Sequence, residues 1–79
     1  MRKTDTDKDV NNMIVWVFRL AQTRWKKTSE QCARIFENND LYTIISNGYD
    51  YLHLMSYESV VTELEEILAE RGVEIYDRT

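Results

Sequence analysis

Asp50 and His53 stand three residues apart in the stretch YDYLHLMS, residues 49–56, between Tyr49 and Tyr51 on one side and a regular amphipathic run on the other. On a helical turn that spacing lets the carboxylate orient the imidazole and hold it near neutral pH as a general base, with a hydroxyl from Tyr49 or Tyr51 completing the group. Such a dyad also needs a nucleophile or bound substrate, walls that exclude water and oxyanion donors. A chain of 79 residues without a glycine-rich loop has little wall from which to build them. His53 is the only histidine and Cys32 the only cysteine, and with scattered carboxylates they match neither zinc nor calcium spacing. The sequence therefore predicts no catalytic residue, metal, cofactor or small-molecule ligand. Tyr49, Asp50, Leu52 and His53 read instead as a structural joint, in which tyrosine and histidine each bury a ring and tie down a backbone group. A small enzyme using Asp50 and His53 is kept as an alternative.

The elements that would flank this joint are helices. Seventy-nine residues make one domain, with no proline, two glycines, 43% apolar and 30% charged residues, the composition of a compact all-α bundle of three to four helices. The first helix is expected from about Asp7 to Lys27, capped by Thr6 after a flexible segment 1–6. Its apolar arc gathers Val10, Met13, Ile14, Val17, Phe18, Leu20, Ala21 and Trp25, wide enough to pack against two neighbours. A second helix starts at Thr28, with Gln31 reaching back as in a capping box, and buries Cys32, Ala33, Ile35 and Phe36. A third starts at Asp40, with Leu41, Ile44 and Ile45 inward; continuation through Gly48 is left open, because Leu41, Ile45, Gly48 and Leu52 keep helical spacing. The last runs from the cap Ser56 to a stop at Gly72, turning Tyr57, Val60, Val61, Leu64, Ile67 and Leu68 inward, and residues 73–79 form a tail. The first and last helices are expected to be the main packing pair.

The same stretch carries a resemblance. NGYDYLHLMSYESVVTELEEILAERGV, with Tyr49, Asp50, Leu52 and His53 followed by an acidic helix ending in Arg-Gly, resembles a family of short bacterial helical proteins of unknown function. The likeness covers roughly residues 30–73, and RLAQTRWKKTSEQCARIF fits the family's less distinctive first half. It implies a small helical cytosolic protein without assigned activity, and some members are encoded beside toxins or effectors, which suggests an antitoxin-like or accessory role. Ser46, Asn47 and Gly48 depart from the pattern, standing where the family would continue a more apolar helix.

Charge is distributed unevenly. Residues 1–34 hold eight Lys/Arg against four Asp/Glu, and residues 35–79 hold two against ten. A helix-turn-helix in TSEQCARIFENNDLYTII is the alternative function, yet LYTIIS brings no Arg, Lys, Gln or Asn to base edges or phosphate, which argues against nucleic acid. No apolar run reaches the roughly 20 residues of a membrane span, and the N-terminus lacks a secretory apolar region, so a cytoplasmic protein is expected. Glu58, Glu63, Glu65, Glu66 and Glu70 crowd the outer face of the last helix, either as a solvated surface or as one that meets a basic partner.

Trp16 breaks the division of the first helix. It lies about 120° from the middle of the apolar arc, next to Leu20 and beside polar Asn12 and Thr23. A short chain gains from burying such a residue against a copy of itself, so Trp16 and Leu20 are expected in a homodimer interface. The competing expectation is that the second helix, or the tail around Ile75 and Tyr76, folds over it. The function these observations support is a small protein-protein interaction module, self-associating or bound to a protein partner through Glu58, Glu63, Glu66 and Glu70.

Overall fold

The computed structural model describes residues 3–75, with side chains from residue 8 onward. Five helical segments follow one another: α1 (Lys3–Trp25), α2 (Ser29–Asn38), α3 (Leu41–Asn47), the single turn α4 (Tyr49–Leu52) and α5 (Tyr57–Glu70). The all-α bundle expected from composition is the fold found, with no strand among the described residues.

α1 begins at Lys3, ahead of the cap expected at Thr6, so the segment expected to be flexible is helical from Lys3. Nothing in the sequence between Lys3 and Thr6 breaks a helix. It stops at Trp25, short of Lys27, because Lys26 turns to a left-handed conformation with φ 56°. The Lys27 N–H then reaches the Gln22 carbonyl at 3.1 Å and the Lys26 N–H the Thr23 carbonyl at 3.3 Å. That pattern is the one glycine usually closes, here taken by lysine.

Thr28 caps α2 as expected. Its hydroxyl accepts from the Gln31 N–H and the Gln31 side chain accepts from the Thr28 N–H, both at 3.1 Å. Asp40 does not cap α3: at φ 58° its carboxylate turns from the helix N–H groups and accepts from the Thr43 hydroxyl at 3.0 Å. Aspartate tolerates the left-handed region better than most side chains, and here it serves the turn. Ser56 caps α5 through the Ser59 N–H at 3.1 Å. Gly72, at φ 76°, ends α5, with Val73 N–H donating to the Leu68 carbonyl at 2.9 Å.

α1 and α5 form the most extensive helix pair. Met13, Val17, Ala21 and Trp25 from α1 meet Val60, Val61, Leu64 and Leu68 from α5 in a single core with Cys32, Phe36, Leu41, Ile45 and Leu52. Ile75 is buried too, so the tail supplies a core residue; Tyr76 lies outside the described residues. Phe36 is the aromatic centre, with ring centroids 5.1 Å from Phe18, 6.1 Å from Trp25 and 5.3 Å from Tyr42.

Cys32 is fully buried and its Sγ lies 3.9 Å from the Phe18 carbonyl. Burial pushes the thiol up to about 11, against the model-peptide value of 9.0. The native thiol is therefore expected to resist an aromatic disulfide reagent at pH 8 and to react at once in denaturant. Because folding favours the protonated thiol, this contribution to stability is complete below pH 9 and is lost as pH rises towards 11, where the unfolded thiol ionises first. Rapid labelling of the native protein at pH 8 would contradict this reading.

Candidate functional site

The joint is built around Gly48 and Leu52. Gly48 separates α3 from α4, yet its N–H donates to the Ile44 carbonyl at 2.9 Å and the Leu52 N–H donates back to the Gly48 carbonyl at 2.8 Å. The chain thus bends while keeping most of its ladder, which resolves the question left open at Gly48: α4 is a separate turn, closely continuous with α3. A Cβ at position 48 would stand 3.1 Å from the Ile44 carbonyl oxygen and 3.4 Å from Leu52 Cδ1. Glycine therefore allows α4 to fold tightly onto α3 without needing an unusual φ.

The side chains of the joint divide into two groups. Leu52 is buried and Tyr49 half-buried, with the Tyr49 ring stacked on His53 at 5.0 Å and 20°. Desolvation first, then the charges of Asp9, Tyr57 and Asp50, raise the Tyr49 hydroxyl above its usual range. Asp50, Tyr51 and His53 are exposed. With Leu52 turned to the core, successive residues of one turn must point elsewhere, so the expected buried histidine is instead a surface ring resting on Tyr49. No ion pair joins Asp50 to His53 among the described residues.

A polar clamp joins the end of α1 to the middle of α5. The Trp25 indole N–H donates to Glu65 Oε2 at 2.8 Å, and Arg24 Nε pairs with the same oxygen at 3.2 Å. Arg24 Nη2 reaches Thr62 Oγ1 at 2.9 Å and Glu65 Oε1 at 3.3 Å, while Arg24 Nη1 donates to the Glu58 carbonyl at 3.2 Å. Glu65 thus leaves the outer-face group in which the charge pattern placed it; its cationic partner is the chain's own first half. The available signal was Trp25, a core tryptophan at a helix end whose N–H needs an acceptor. Glu63 is half-buried, and Glu58, Glu66 and Glu70 are exposed. Glu66 lines an open cleft with Thr62, Ala69, Val73 and Ile75.

The outer side of α1 carries the other exposed apolar surface. Val15 and Trp16 are 52% and 51% exposed, Leu20 is half-buried, and the Arg19 guanidinium lies 5.9 Å from the Trp16 ring centre. Beside it, Ile14, Val15, Phe18 and Tyr42 line a shallow cleft with Arg19, Gln22 and Ser29. Burial, and secondarily Glu37, raise the Tyr42 hydroxyl. Among the described residues no group of three or more His, Cys, Asp or Glu side chains is placed to hold a metal, and no helix is long and apolar enough to cross a membrane.

No curated protein and no solved structure matches this chain. A family model described as "Protein of unknown function (DUF3791)" matches residues 12–71, from the second half of α1 through the joint to the end of α5. The sequence resemblance to a family without assigned function holds at that level, and the chain belongs to the DUF3791 family.

Proposed function

We propose that the protein is a small interaction module that pairs with a second copy of itself through the outer face of α1. The observation that carries this reading is Trp16, half exposed beside an equally exposed Val15, in the middle of the longest helix. Tryptophan is the residue most favoured at interface centres, and a domain this short gains from extra buried area. One self-complementary patch then serves both subunits. The setting that the sequence resemblance suggests is the bacterial cytosol, with an antitoxin-like or accessory role beside an effector. No observation favours the DNA-binding or enzymatic alternatives: α3 offers no cation, and Asp50 and His53 are not paired.

Sedimentation at micromolar concentration tests the pairing. The wild type is expected to run as a dimer and Trp16→Glu as a folded monomer with an unchanged circular dichroism spectrum. A monomeric wild type removes the proposal.

A further inference from the structure

The joint exposes more apolar surface than its structural role requires. Leu52 and Gly48 hold the bend, and Tyr49 packs on the core. Leu54 is 76% exposed, Tyr51 60% and Tyr57 40%. The Leu54 N–H donates to the Tyr51 carbonyl at 3.3 Å, which keeps those two residues on one tight turn, and the Ser56 cap places Tyr57 at the first position of α5. A single exposed leucine needs no explanation, but three large apolar side chains exposed within seven residues of an ordered turn call for one. The adjoining sequence is acidic. Asp50 and Glu58 stand next to Tyr51 and Tyr57 in the chain and are exposed, no Lys or Arg occurs between Arg34 and Arg71, and Asp9, with exposed Lys8 beside it, acts on Tyr49. Two of the chain's own arginines are engaged elsewhere, Arg24 on Glu65 and Arg71 on the Asn39 carbonyl at 2.7 Å.

We infer that Tyr51, Leu54 and Tyr57 form a docking site for a basic amphipathic segment of another protein, whose apolar side chains seat on this patch while its Lys or Arg side chains meet Asp50 and Glu58. Burial of Leu54 and the rings supplies affinity, the tyrosine faces attract cations, and the carboxylates steer and orient the partner. A second copy of this joint would bring Asp50 and Glu58 against their own kind, and an anionic lipid surface would meet the same repulsion. The site is thus separate from the α1 face, with a different partner.

The test uses a fluorescein-labelled synthetic peptide of leucine and lysine at amphipathic helical spacing, titrated with the intact protein and followed by anisotropy. Saturable binding is expected, weakened by salt, with amide shifts in nuclear magnetic resonance spectra centred on residues 50–58. Leu54→Glu is expected to weaken binding about tenfold or more while leaving the melting temperature unchanged, since the side chain is exposed. The sign is decisive, because this variant adds negative charge: unchanged or tighter binding would mean that charge alone holds the peptide and would overturn the inference. So would a wild type that does not bind, tight binding of neutral phosphatidylcholine vesicles at the same residues, or a dimer that Leu54→Glu dissociates. Trp16→Glu is expected to retain peptide binding. Loss of binding there would transfer the docking site to α1, whereas a monomeric wild type that still binds through Leu54 would remove only the self-association proposal.

Discussion

Phe36→Ala is expected to lower the stability of the fold by about 3–5 kcal/mol, the usual range for truncating a buried aromatic. A chain of this length is stabilised by about 4–12 kcal/mol in total, so the variant stands at the edge of unfolding under native conditions. The position makes the effect large. Phe36 is fully buried and its ring contacts Phe18 and Trp25 of α1 and Tyr42 of α3, so the cavity opens where three helices meet and no single neighbour can collapse into it. Urea denaturation followed by far-ultraviolet circular dichroism measures it. Phe36→Leu, which keeps most of the volume, should recover much of the loss, and a Phe36→Ala midpoint equal to wild type would show that the aromatic centre is not the keystone described.

Glu65→Ala is expected to cost about 1–3 kcal/mol, while the neighbouring Glu66→Ala stays within about 0.5 kcal/mol. The two glutamates adjoin in sequence and differ in what they touch. Glu66 is exposed, whereas Glu65 accepts from the indole N–H of a tryptophan only 2% exposed. Removing it leaves that N–H without its acceptor inside the protein. The Arg24–Glu65 ion pair adds less, because the guanidinium is 37% exposed and screened by water. Glu65→Gln keeps an oxygen for the indole and should restore a good part of the loss. Equal melting curves for Glu65→Ala and Glu66→Ala would show that the clamp contributes nothing.

Much of this fold was legible in the sequence because its signals are local. The cap at Thr28 with Gln31, the cap at Ser56 and the stop at Gly72 each depend on a side chain and backbone groups a few residues away. The buried arc of α1 follows from spacing alone. What escaped depends on distant neighbours or on backbone conformations that residue type only permits. Asp40 is an ordinary cap residue by type, and only its left-handed backbone sends the carboxylate to Thr43. Lys26 gives no hint that it will close a helix in glycine's place. Glu65 and Glu66 are indistinguishable in a charge pattern until α1 lies alongside. His53 looked like a core ring because its neighbours suggest a tight junction, but Leu52 alone takes the inward position on that turn.

The pairing of the first long helix with the last has a consequence for how the chain comes to be folded. Trp25 and Glu65 are 40 residues apart, and α1 makes its most extensive contact with α5. Docking α5 onto α1 therefore has to close a long loop before Val60, Val61, Leu64 and Leu68 can cover the apolar arc, and the entropy of that closure makes this pairing the most costly contact to form in an otherwise locally connected bundle.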